Sequence, residues 1–67
     1  MAVDYEEIRA AIIRRAVLDY QYALRYRNYA QIANLERFFL SEWGEFLSYG
    51  HGKYIIEHTR KIVRNIR

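Results

Sequence analysis

Apolar residues recur at helical spacing along most of this chain. Ile8, Ala11, Ile12, Ala16, Tyr20, Ala23 and Leu24 fall three and four positions apart, and Ile13 and Val17 widen the stripe. That period predicts an amphipathic helix. Asp4 stands where it would cap the helix start, with Glu7 three residues on completing a capping box. The helix should run to about Arg27, and the three alanines on that face, Ala11, Ala16 and Ala23, would admit a close neighbour, including a symmetry mate. Asn28 either closes this helix in the left-handed region or caps a second one, with Gln31 at the box position. Ile32, Leu35, Phe38 and Phe39 then form the next apolar face.

Ser41 is ambiguous by pattern. It suits the cap of a short helix over Glu42–Ser48, yet Ile32, Leu35, Phe39, Trp43 and Phe46 read as one unbroken stripe. We place a break at Ser41. Ser48-Tyr49-Gly50-His51-Gly52 is the evident turn, with Gly50 suited to a left-handed C-terminal cap. A last helix follows from about Lys53, marked by Ile55, Ile56, Thr59, Ile62, Val63 and Ile66. The expected architecture is a single all-α domain, residues 1–67: a small bundle of three long helices plus one short helix. Its core should centre on Phe39, Trp43, Phe46 and Leu47, packed against Ile12, Ala16, Ile55 and Ile62.

Composition sharpens this picture. The chain has 67 residues, no Pro and no Cys, and its three glycines all lie between Gly44 and Gly52. Lack of breakers elsewhere favours helices. Lack of Cys excludes disulfides and Cys-ligated zinc. No apolar run approaches the roughly 18 residues of a membrane span, and the first residues do not resemble a signal peptide. A cytoplasmic domain with no membrane association is the expectation. So small a domain buries a limited core, yet it carries seven Tyr, three Phe and one Trp. That surplus of large apolar side chains predicts self-association, as a homodimer, or a protein partner.

Candidate chemistry is sparse. Ser48, His51 and Glu57 can be drawn as a triad, but no nucleophile elbow surrounds Ser48. His51 and His58 with Glu57 lack the His-x-x-x-His spacing of a helical metal site. We expect no catalytic site, no metal and no cofactor. The unusual stretch is Tyr20–Tyr29, where helical spacing puts Tyr22, Arg25, Tyr26 and Tyr29 on neighbouring turns. Tyr and Arg are enriched at protein interfaces, so these four are candidate protein-binding residues. A core-rim role and stacking on nucleic-acid bases remain open for them.

The basic residues invite the nucleic-acid alternative, although the overall charge is modest for it. The net charge is +3. Residues 9–27 hold five Arg against Asp19, and residues 58–67 hold four basic residues and no acid, while the middle is mildly acidic. Arg60, Lys61, Arg64 and Arg67 on the last helix are the candidate nucleic-acid contacts.

Leu35-Glu36-Arg37-Phe38-Phe39-Leu40-Ser41-Glu42-Trp43, then Gly50-His51-Gly52-Lys53-Tyr54-Ile55-Ile56, resembles short helical proteins encoded by phages and prophages of Gram-positive bacteria. The match spans residues 35 to about 60, and Gly44 and His51 depart from the pattern. The resemblance implies a phage setting in a host cytoplasm and no established activity. Our expectation is a non-enzymatic protein that binds a host or defence protein, as inhibitor or adaptor. The alternative is a small nucleic-acid-binding protein using the basic first and last helices.

Overall fold

A computed structural model describes residues 4–65, all of whose regular structure is helical. The elements are α1 (Tyr5–Arg25), α2 (Tyr29–Leu40), α3 (Glu42–Leu47) and α4 (Gly52–Asn65). They have 21, 12, 6 and 14 residues. The bundle is elongated, 44 × 21 × 19 Å.

Local chemistry accounts for the boundaries. Asp4 Oδ1 accepts from the N–H groups of Glu6 and Glu7 at 3.1 and 3.2 Å, satisfying donors that the first helical turn leaves unpaired. At the other end it is Arg27 that turns left-handed (φ 55°). Asn28 N–H then reaches back to Ala23 O (2.9 Å), and Asn28 Oδ1 accepts from Gln31 N–H (3.2 Å) to start α2. Of the two roles open to Asn28, capping is the one realised. The break at Ser41 is present: its ψ of 163° is extended, and its hydroxyl accepts from Gly44 N–H (3.0 Å) while donating to Phe38 O (2.6 Å). The left-handed closure of α3 begins at Tyr49 (φ 58°) and continues through Gly50 (φ 81°), so Gly50 shares that task with a bulky neighbour.

α1 packs on α2 and α4, and α2 packs on α3 and α4. The centre is Ala16, Tyr20 and Phe39. Tyr20 and Phe39 are the fully buried large side chains, meeting edge to face with centroids 5.7 Å apart, a favoured aromatic geometry. Ala23 and Leu47 are buried beside them, and Ile55 and Ile62 are half-buried.

The expected aromatic centre therefore needs correction. Phe39 and Leu47 are inside, but Trp43 is 60% exposed and Phe46 57% exposed, and Ile12 is also exposed. The extended Ser41 resets the helical phase, so α3 does not continue the stripe of α2. Its inward residues are Gly44 and Leu47. Gly44 lies so close to α2 that a Cβ there would come within 1.9 Å of Phe38 O, and one on Gly52 would come within 2.1 Å of Phe39 O. These two glycines let α3 and α4 abut the C-terminal carbonyls of α2. Glu45 completes the corner, its Oε1 accepting from Gly52 N–H at the start of α4 (3.1 Å).

A second correction concerns α1. Ala16 and Ala23, expected to be available to a symmetry mate, are buried in the chain's own core.

Candidate interaction surfaces

Six of the exposed large hydrophobic side chains, all aromatic, gather in two places. The first is built on α3 and the beginning of α1. Trp43 and Phe46, three residues apart on one helical face, stack with centroids 5.7 Å apart and planes at 17°. The Arg9 guanidinium lies 4.6 Å from the Phe46 ring centroid and 4.3 Å from that of Tyr49, so the cation bridges two π-faces. Glu6 holds the other side of this group. It pairs with Arg9 at 3.3 Å and accepts a hydrogen bond from the Tyr49 hydroxyl. That bond raises the Tyr49 phenol above its usual pKa. These contacts oppose the cost of the left-handed backbone at Tyr49.

Beside this group runs an apolar cleft of about 490 Å³ between α1, the 48–51 turn and α4, lined by Ala10, Ile13, Leu47, Tyr54 and Ile55 among others. Ser48 also lines it. Its Oγ is the one buried side-chain polar atom without a hydrogen-bond partner among the described residues.

The second surface lies at the far end of α1. Tyr22 and Tyr26 stack with centroids 5.8 Å apart and planes at 15°. Both are exposed, as are Tyr29 and Arg25. Exposure of 62%, 73% and 71% for the three tyrosines goes beyond a core rim, leaving these rings in solvent. Below them the Arg15–Asp19 ion pair (3.3 Å) spans one turn of the same helix.

Between the surfaces is a polar knot that sequence reasoning missed. The Tyr20 hydroxyl donates to Glu36 Oε2 (2.5 Å) and accepts from Arg60 Nε (3.0 Å), and Arg60 pairs with the same carboxylate. Burial, with the bond to Glu36 and its charge, pushes the Tyr20 phenol up to about 12. Burial acts upward on Glu36 too, but the bonds from Tyr20 and Arg60 outweigh it and leave the carboxyl below its usual pKa. No local pattern marks the knot, because its members come from three helices. Tyr20 alone was legible, as a stripe residue.

The knot changes the standing of the basic candidates. Arg60 is engaged with Glu36, Lys61 and Arg64 are exposed on α4, and Arg67 lies outside the described residues. The triad candidates are not assembled: Ser48 Oγ has no partner, and His51 sits exposed in the turn. His58 stacks on Tyr54, centroids 5.2 Å apart. Among the described residues no group of three His, Cys, Asp or Glu is placed to hold a metal, and no helix is long and apolar enough to cross a membrane.

Compared with protein-family models, curated proteins and solved structures, the chain matches none.

Proposed function

We propose that the chain is a non-enzymatic interaction protein, an inhibitor or adaptor that binds a host or defence protein in a phage or prophage setting. One observation carries this reading. Twelve large hydrophobic side chains in the described residues are at least 40% exposed, against five hydrophobic residues in the buried core. The phage setting rests on the resemblance of residues 35–60 alone.

The Trp43–Phe46 stack is the partner-binding anchor in this reading, with Arg9 and Tyr49 at its edge. Trp, Tyr and Arg are the residues that dominate interface energies. The Tyr22, Arg25, Tyr26 and Tyr29 surface is a second, separate contact. The nucleic-acid reading is weaker, because Arg60 is engaged with Glu36.

Capture from host lysate tests the proposal. A protein should be retained by the native chain after nuclease treatment and at elevated salt, and lost with the Trp43→Ala/Phe46→Ala variant. Retention that disappears with nuclease, or falls steeply with salt, would instead establish phosphate-driven binding.

A further inference from the structure

We infer that the exposed flank of α1 is an antiparallel two-fold seam for a second copy of this chain. Tyr5, Ile8, Ile12, Arg15, Asp19, Tyr22 and Tyr26 follow one another at intervals of three and four. That is the spacing of the a and d positions of a coiled coil. Helical spacing sets them along the flank of α1 that adjoins the Ala16, Tyr20 and Ala23 face the chain buries itself, with Tyr26 at the C-cap. Tyr5, Ile8, Ile12, Tyr22 and Tyr26 are exposed. The seam is apolar at both ends and charged only in the middle.

The arrangement is self-complementary in one orientation. A two-fold axis at the level of Arg15–Asp19 sets Arg15 against the partner's Asp19. It also sets Ile12 against the partner's Tyr22 and Ile8 against the partner's Tyr26. Each aliphatic residue then meets an aromatic one, and the two intrachain pairs, 3.3 Å each, join into a ring of four alternating charges. A parallel in-register pair would oppose Arg15 to the partner's Arg15 and Asp19 to the partner's Asp19. A central polar layer of this kind fixes orientation and register, and the same patch on both chains gives a closed dimer. Next to the seam, a recess of about 450 Å³ bordered by Asp19, Tyr22, Tyr26 and Gln31 offers space for the partner's aliphatic residues.

The seam involves no residue of the Trp43–Phe46 anchor; it takes up Tyr22 and Tyr26 of the second contact, so it deepens that part of the partner-binding reading by naming a second copy as the occupant, and it is tested without any host protein.

The experiment is sedimentation equilibrium on the purified chain from low to high micromolar concentration. A monomer–dimer equilibrium is expected. Ile12→Glu and Tyr26→Glu should each weaken it by about a hundredfold, by placing unpaired charge in the seam, with helical circular dichroism retained. Arg15→Glu and Asp19→Arg should each be monomeric alone and form a one-to-one heterodimer when mixed. The double swap Arg15→Glu/Asp19→Arg should dimerise like the native chain. For orientation, an equimolar mixture of Ile8→Cys and Tyr26→Cys should cross-link on oxidation in excess of either variant alone. A monomeric native chain at every concentration, native-like dimerisation of the Glu variants, failure of charge-swap rescue, or preferential cross-linking of Ile8→Cys to itself would each overturn the seam.

Discussion

Phe39 and Trp43 sit four residues apart, on what reads in the sequence as one apolar stripe, and meet opposite environments. Phe39 is fully buried against Tyr20, whereas Trp43 stands 60% exposed on Phe46. Between them Ser41 turns extended, and its hydroxyl both receives Gly44 N–H and donates to Phe38 O. One residue outside the helical region moves every following side chain to a new angle. Periodicity therefore assigns a face only while the helix is continuous. Past a cap, the contacts of the next helix decide what is inside. Here they select Gly44 and Leu47, and release two aromatic rings to the surface.

The sharpest way to break this contrast is at the glycines that make it. Gly44→Ala and Gly52→Ala would each drive a Cβ into a backbone carbonyl of α2, which cannot move aside as a side chain can. Each should cost more than about 3 kcal/mol, the upper end of ordinary overpacking, and thermal melts should show little or no cooperative transition in so small a domain. Next in size is the pair itself. Phe39→Ala should destabilise by about 3–5 kcal/mol. Trp43→Ala should cost only about 1 kcal/mol, the scale of one exposed stacking contact. Equal losses in urea melts of the two variants would contradict the burial difference.

The polar knot gives a smaller effect with a definite pH dependence. Tyr20→Phe should cost about 1.5–3 kcal/mol near neutral pH, the value of a hydrogen bond to charged groups. The folded chain holds the Tyr20 phenol up at about 12, against 10.0 unperturbed. Its contribution is thus complete below 10 and lost as pH rises from there through about 12. Native and Tyr20→Phe melts should converge across that window, and phenolate absorbance should show a tyrosine that titrates late. On the acid side the depressed Glu36 carboxyl acts in reverse. Its stabilisation is present above the ordinary carboxylate pKa and lost as pH falls through the depressed value, and Glu36→Gln should remove that dependence. Smallest is Ser48→Ala, which deletes a buried hydroxyl with no partner. It should shift stability by under about 1 kcal/mol, in the stabilising direction.

These contrasts show where the sequence was legible. Asp4, Asn28 and Ser41 act through neighbours two or three residues away, so composition and spacing sufficed to place three helix starts. The all-helical class followed from the same local evidence. Trp43 and Phe46 were misplaced because the stripe was extended across Ser41, even though a break was expected there. Gly44 and Gly52 are required by carbonyls of α2, and Tyr20, Glu36 and Arg60 meet across three helices. Nothing within a turn of each residue announces such contacts. The α1 seam occupies a middle position. Its spacing is printed in the sequence, but Ile8 and Ile12 also fit the stripe that contains Ala16 and Tyr20, and the burial pattern is needed to divide the two faces. The Tyr22–Tyr29 surface was legible from composition, whereas Arg9, which ties α1 to α3, carried no local signal beyond its spacing from Glu6.

The position of Trp43 has a spectroscopic consequence. It is the only tryptophan in the chain, and in the folded state its indole already faces water. Intrinsic fluorescence should therefore emit at long wavelength before any denaturant is added and change little as the bundle melts. A ligand that covers the Trp43–Phe46 stack would remove water from the indole and shift the emission to the blue. The chain thus carries a built-in optical reporter, poor for following folding and well placed for following occupation of that surface.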